Sequence, residues 1–101
     1  MATVTSKTLD RTAAATSSTT LYTVPASTTA VVTDIQVCNS AATSATFTIT
    51  LDGVDLIKTA TIAANSTASF DLKQVLATNK IIAGLASAIT VSFHISGVEI
   101  V

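Results

Sequence analysis

A chain of 101 residues with a formal net charge of -1 is long enough for one hydrophobic core but not for two. Its five Lys and Arg residues are scattered, which excludes the basic stripe that nucleic-acid binding requires. No apolar run approaches the ~18 residues of a membrane span. The single cysteine, Cys38, excludes an internal disulfide and a multi-cysteine metal site.

The composition favours an all-β protein. Charged residues make up 11% of the chain, less than half of the ~25% typical of soluble domains, and Thr, Ser, Ala and aliphatic residues take their place. A mean hydropathy of +0.63 with so few charges predicts that other subunits cover part of the surface, so we expect a homo-oligomer. The N-terminus lacks the apolar core of a secretory signal, which predicts that the protein is made and kept in a cytosol.

Residues 1–18 form a low-complexity N-terminal arm, rich in Thr, Ala and Ser. Val4 and Leu9 are its larger apolar residues, and we expect a short edge strand between them, no contribution to the core, and a flexible link over Ala13–Ser18. Since a free strand can add to the edge of another sheet, the arm is predicted to be mobile alone and ordered by a partner. Residues 19–101 are predicted to form the β-sandwich domain.

The most regular stretch, Val31–Gly53, contains two runs of alternating apolar and polar residues joined by a loop of small residues at Asn39–Ser44. Successive side chains of a strand point to opposite faces, so this period predicts two strands with one buried side each. Their closeness in sequence predicts that they pair as a β-hairpin. The Asp52-Gly53 dipeptide after the second run is a strong signal for a further two-residue turn.

Other short strands flank this pair. They are predicted at Thr19–Val24, Val54–Ile62, Ser66–Leu72, Lys80–Ala86, Ile89–Ser96 and Val98–Val101, with a helical turn or loop at Lys73–Asn79. Because Leu56 and Ile57 are adjacent apolar residues, one of them is expected to face a neighbour or to lie in a bulge. Seven to eight short strands with turn signals every 8–12 residues are typical of an antiparallel β-sandwich or jelly roll. The shared parity predicts a core of Val31, Ile35, Val37, Phe47, Ile49, Leu51, Phe70, Val91, Phe93 and Ile95, and it also points Ile89 inward.

The chemically capable residues form no catalytic or metal-binding constellation in the sequence. His94 stands between Ser92 and Ser96 on one strand face, with no acid near in sequence to complete a triad. Asp52 and Asp55 flank a turn, but a hard cation needs six to eight oxygen ligands. We therefore expect no enzyme activity, no metal site and no cofactor.

Three segments together resemble those of a known class. The matching residues are Leu21, Tyr22, Val24 and Pro25 at the opening, Val37, Cys38 and Asn39 in the middle, and Ser96, Gly97, Val98 and Glu99 near the end. In these residues the chain resembles small virion proteins of tailed bacteriophages. The resemblance covers residues 19–101.

This resemblance implies an eight-stranded β-sandwich on the outside of a virion, made in the host cytoplasm. Members of the class serve as capsid decoration (cement) proteins, head-fibre bases or tail components. The absence of a fibre extension after Val101 favours a decoration protein that stabilises the head. Its expected partners are other copies of itself, in a homotrimer, and the major capsid protein. The alternative is a tail or fibre module that binds carbohydrate or a receptor, although the predicted burial of all three Phe residues counts against it.

Residues for contact with a partner are chosen from the arm and from the polar strand faces. The candidate interface residues are Val4, Leu9, Thr46, Thr48, Thr50, Thr90, Ser92 and His94.

Overall fold

The computed structural model describes residues 3–101, and this range contains eight strands. Met1 and Ala2, at the start of the predicted arm, lie outside the described residues. The strands are β1 (Val4–Ala13), β2 (Thr19–Thr23), β3 (Thr29–Asn39), β4 (Ala45–Leu51), β5 (Val54–Ile62), β6 (Ser66–Leu76), β7 (Ile81–Ala86) and β8 (Val91–Ile100).

The strands form two four-stranded sheets that pack face to face. Sheet 1 has the order β1-β8-β3-β6 and sheet 2 the order β2-β7-β4-β5, and every neighbouring pair is antiparallel. Apart from β4 and β5, consecutive strands lie in opposite sheets, which is the winding of an eight-stranded jelly roll. The predicted antiparallel sandwich is confirmed.

The predicted pairing of the two most regular strands is wrong. β3 lies between β8 and β6 in sheet 1, whereas β4 lies between β7 and β5 in sheet 2. Asn39, fully buried at the end of β3, holds the crossing: its amide donates to the Thr43 carbonyl at 2.9 Å, and its side-chain oxygen accepts from the Ala41 N–H at 3.1 Å and the Thr90 hydroxyl at 3.2 Å. Alternation fixed the buried face of each strand, but it carries no information on the neighbour.

The second turn does form a hairpin, between β4 and β5. Leu51 pairs with Val54, and the two residues between them have φ values of 54° (Asp52) and 75° (Gly53), as a type I′ turn requires. The predicted bulge in β5 is confirmed, because the partners of the adjacent residues Ile49 and Thr50 are Ile57 and Asp55, which leaves Leu56 unpaired.

The core lies between the sheets and contains most of the predicted residues. Phe47 and Phe93 are fully buried, and their rings meet edge to face at 6.3 Å. Phe70 contacts Phe47 at 6.0 Å but is only partly buried. Two expectations are wrong: Val31 is half-buried on the outer face of sheet 1, and Ile89, 72% exposed, lies in the turn before β8.

Sheet 1 contains a row of bulges that crosses three of its four strands. Relative to β8, β1 carries an extra residue at Leu9 and β3 one at Thr33, while β6 places both Leu72 and Lys73 opposite Thr33. The single extra residue reverses the parity of β1 and of β3, so Val32 rather than Val31 points into the core. The two residues of β6 at this level leave its alternation unchanged. We call these four residues the bulge row. Beyond it β6 continues to Leu76, so the helical turn or loop predicted from residue 73 is wrong there.

The N-terminal arm is an edge strand of its own sandwich. β1 pairs with β8 from Val4 to Ala13, and the Ala14 N–H donates to the Val91 carbonyl at 2.7 Å. Leu9 is 7% exposed and Ala14 3%, so the expectation that the arm contributes nothing to the core is wrong. Its pairing needs no partner chain.

Candidate assembly surfaces

The polar residues chosen as contact candidates lie on opposite sides of the sandwich. Thr46, Thr48 and Thr50 alternate with buried residues of β4 and stand on the outer face of sheet 2. Ser92 and His94 stand on the outer face of sheet 1, and Thr90 is exposed in the turn that precedes them. One flat partner surface cannot cover both sets. Of the two apolar candidates, Val4 is 62% exposed, whereas Leu9 points into the core and offers a partner almost no surface.

The outer face of sheet 1 changes character along its strands. On the β3-Asn39 side of the bulge row it presents polar residues, among them Asp34, Gln36 and His94. On the other side, all four strands contribute an aliphatic side chain to the same outer face. These residues, the aliphatic patch, are Val4, Val31, Val75, Val98 and Ile100.

Cross-strand register places the members of the aliphatic patch against one another. Val31 is directly opposite both Val75 and Val98, and Val4 is opposite Ile100. Directly opposite side chains have Cβ atoms about 4.5–5.5 Å apart, so the patch is continuous across the sheet. Val75 at 69% and Val4 at 62% are its most exposed members. A contiguous apolar surface rimmed by polar residues is typical of a protein contact site.

A polar clasp joins the two sheets on the side where β1 and β2 lie. The Tyr22 hydroxyl of sheet 2 donates to Oε2 of Glu99 in sheet 1, and Lys7 Nζ lies 3.3 Å from Glu99 Oε1. The hydrogen bond from Tyr22, followed by the contact with Lys7, lowers the pKa of Glu99, although burial opposes this shift. Burial, together with the Glu99 carboxylate, raises the pKa of the Tyr22 hydroxyl. The clasp is therefore a neutral phenol bound to an ionised carboxylate.

The opposite side, between β5 and β6, is open. A cleft of about 490 Å³ there is lined by Leu56, Ile57, Ser69, Phe70, Asp71 and Leu72. A second cleft, of about 480 Å³, shares Asp71 and Leu72 and adds Thr33 and Lys73. Phe70 and Leu72 pack against the core from this cleft without being fully covered. We call this side the open edge.

One carboxylate is poorly accommodated. Asp10 follows the β1 bulge, and its Oδ2 atom is buried without a hydrogen-bond partner among residues 3–101. Burial raises the pKa of Asp10, although the Arg11 backbone N–H and the nearby His94 act in the opposite direction. The ionised form of this side chain is therefore disfavoured by the fold.

Neither a catalytic group nor a metal centre is assembled in the described part of the chain. Residues 3–101 hold no hydrogen bond between His94 and a serine or a carboxylate, and no group of three or more His, Cys, Asp or Glu side chains that could bind a metal ion. The same residues include no helix that could cross a membrane.

Comparison with known proteins finds a similar fold but no relative in sequence. No protein-family model and no curated protein matches the chain. A chain of the T13 IBDV viral particle, in a crystal structure, aligns with a TM-score of 0.58 at 10% sequence identity, over 98% of this chain and 30% of that chain. A chain in the structure of the infectious bursal disease virus Gx strain aligns with a TM-score of 0.44 at 15% identity, over 98% of this chain and 31% of that one. The protein spans less than a third of either neighbour, and the likeness is one of fold.

Several residues that carry the phage resemblance make contacts that connect strands or sheets. Tyr22 from the opening segment and Glu99 from the closing one form the clasp. Asn39 holds the crossing from β3 to β4, and a Cβ atom on Gly97 would lie 2.1 Å from the Val31 carbonyl oxygen. These positions therefore specify how the sandwich closes. Sequence reasoning missed the clasp and the open edge, because both depend on which strands become neighbours.

Proposed function

We propose that this protein is a virion structural protein, specifically a capsid decoration protein made in the host cytoplasm. It binds the outside of an assembled phage head through contacts with the major capsid protein, and it does so as a homotrimer. The phage resemblance supports the class. The jelly-roll fold, which is common among viral capsid domains and is similar to a chain of a viral particle, supports a place in the virion.

The observation that carries the proposal is the aliphatic patch. Its side chains come from all four strands of sheet 1, so their positions are fixed by the sheet and need no ordering when a partner binds. Burial of apolar surface contributes roughly 25 cal/mol per Å² removed from water. The polar residues on the far side of the bulge row, including Asp34 and His94, would form the solvated rim of such a contact.

Stabilisation of a shell by this route is a linkage effect. A protein that binds the assembled shell but not the free capsid subunit adds free energy only to the assembled state. The gain is about 2.7 kcal/mol per site when the free protein is present at 100 times its dissociation constant. The proposed mechanism makes and breaks no covalent bond.

The alternative of a carbohydrate-binding module gains no support from the aromatic side chains. Sugar sites usually present exposed aromatic rings. Here Phe47 and Phe93 are buried, Phe70 packs against Phe47, and Tyr22 is committed to Glu99. The one ring left partly uncovered is that of Phe70 in the cleft of the open edge.

A shell-binding experiment tests the proposal. Purified protein is mixed with shells assembled from the major capsid protein of the parent phage, and cosedimentation and shell melting temperature are measured. We expect saturable binding and a higher melting temperature. Val4→Asp, within the aliphatic patch, should weaken binding at least tenfold, whereas Val54→Asp should bind as the wild type does. These two residues are similarly exposed, at 62% and 68%, but Val54 lies beside the hairpin turn of sheet 2.

Two outcomes would contradict the proposal. Wild-type protein that does not bind shells is not a decoration protein. Equal loss of binding in Val4→Asp and Val54→Asp would show that the aliphatic patch is not the contact surface.

A further inference from the structure

The open edge exposes a long strand that has a partner on only one side. β6 is the last strand of sheet 1 and runs for 11 residues, so the backbone groups on its free side are available to another strand. The other edge strand of this sheet, β1, borders the clasp, and its Lys7 is already paired with Glu99. The open edge has no such closure, and its cleft leaves Phe70 and Leu72 partly uncovered.

The sequence of β6 is complementary to itself around Leu72. Asp71 precedes this residue and Lys73 follows it, and within residues 3–101 neither charge takes part in an ion pair. If two copies of β6 run antiparallel with a two-fold axis at Leu72, Asp71 of each copy lies opposite Lys73 of the other. The contact therefore contains two ion pairs of matching geometry and no like-charge pair.

The same register places inner-face residues opposite inner-face residues and outer-face residues opposite outer-face residues. Residues opposite one another in an antiparallel pair share a face of the sheet. With the axis at Leu72, Phe70 meets Gln74, and both lie opposite buried residues of β3. Ser69 meets Val75, and both lie on the outer face. The alternation of β6 is unbroken from Phe70 to Leu76, so residues equally distant from Leu72 lie on the same face of the strand.

We propose that two copies of this chain associate along the open edge, with β6 antiparallel to β6 around a two-fold axis at Leu72. Sheet 1 then continues from one copy into the next, and the two clefts face each other across the axis. The contact is isologous, so it joins copies in pairs. It does not depend on the proposed function: within a layer of trimers it would link neighbouring trimers, and in free protein it would give a dimer.

Charge exchange on the isolated full-length protein tests the register. The dissociation constant of the pair is measured by sedimentation equilibrium up to about 1 mM, the weak end of specific association. Asp71→Lys alone places Lys against Lys at both ends of the axis and should weaken pairing at least tenfold. The double variant Asp71→Lys/Lys73→Asp restores both ion pairs with the wild-type composition and should recover pairing to within threefold. Both side chains are exposed, so both variants should still fold.

A cysteine at the axis provides an independent measurement. In a Cys38→Ser background, Leu72→Cys should form a disulfide-linked species of twice the 10.2 kDa chain mass, because directly opposite strand residues have the Cα separation that a disulfide needs. Thr8→Cys, on the other edge strand of sheet 1, is the matched control and should not cross-link.

The outcomes decide the proposal either way. Weakening by the single charge change, recovery in the double variant and cross-linking at Leu72 alone would establish the contact. A monomer at the highest concentration would overturn it and would indicate that the bulge and Lys73 protect the edge from pairing. Association that ignores both charge changes would also overturn it. Shell binding is measured separately, so failure here leaves the proposed function standing, and the reverse is equally true.

Discussion

Truncation of Leu9 measures how far the N-terminal arm belongs to the fold. Leu9 is 7% exposed and fills the space beside Gly97, where an added Cβ atom would lie 3.0 Å from its Cδ1. Leu→Ala substitutions at buried sites cost about 2–5 kcal/mol. Because Leu9 lies in an edge strand, the surroundings can partly close over the gap. We therefore expect Leu9→Ala to lower the free energy of unfolding by about 2–3 kcal/mol, out of the roughly 5–15 kcal/mol of a domain this size.

Equilibrium unfolding in urea, followed by far-UV circular dichroism, is the suitable assay. With a slope of about 1–1.5 kcal/mol per M, the expected loss lowers the midpoint by about 2 M. Val4→Ala, in the same strand but 62% exposed, should change the free energy of unfolding by less than about 0.5 kcal/mol. If the two variants are equally stable, β1 is not docked as described and the arm is an appendage. Deletion of residues 1–13 should agree with the Leu9 result by unfolding the domain.

Three further predictions concern single side chains. Gly97→Ala should lower the free energy of unfolding by about 3 kcal/mol, because the added Cβ atom would lie 2.1 Å from a backbone oxygen. In Gly53→Ala the added Cβ meets no atom within 4 Å, so only the left-handed backbone costs stability, by about 1 kcal/mol. Urea unfolding of the two variants tests this difference. Tyr22→Phe should lose about 1–2 kcal/mol at pH 7. This loss should shrink progressively as the pH falls below the ordinary glutamate pKa of 4.5, because the lowered pKa of Glu99 stabilises the folded state only while the carboxylate is ionised; a loss that is the same from pH 7 down to acid pH would contradict the role of the clasp. Asp10→Ala should raise stability at pH 7 and not at pH 3, since a raised carboxyl pKa makes the ionised form unfavourable in the folded state; unchanged stability at pH 7 would show that the orphan oxygen is solvated.

Local alternation was enough to predict the strands and most of the core. Ile35, Val37, Ile49 and Ile95 are buried as the period of two required. Val31 departs from that pattern because of the bulge at Thr33, and no local signal distinguishes a bulged threonine from an ordinary one. The period is a property of each strand alone, so it can identify a buried face until an extra residue reverses it.

Which strands become neighbours in a sheet was much harder to predict than where the strands lie in the sequence. β3 and β4 are close in sequence and similar in pattern, yet buried Asn39 directs the chain across the core instead of back along the same sheet. The arm was underestimated for a related reason: Leu9 is a single apolar residue among polar ones, and its burial depends on β8, which lies at the far end of the sequence. The aliphatic patch likewise consists of residues that are unremarkable one by one and become a surface only through cross-strand register.

The bulge row has a consequence for any homologous sequences. Its residues set the register in which β1, β3 and β6 lie beside the regular strand β8. Loss of Thr33 alone would reverse the facing of the β3 residues that precede it, so that Val31 would point into the core and Val32 to the surface. A one-residue deletion at this level should therefore be accompanied by deletions in the neighbouring strands. In an alignment, gaps at positions 9, 33 and 72–73 are expected to appear and disappear together, although these positions are far apart in the chain.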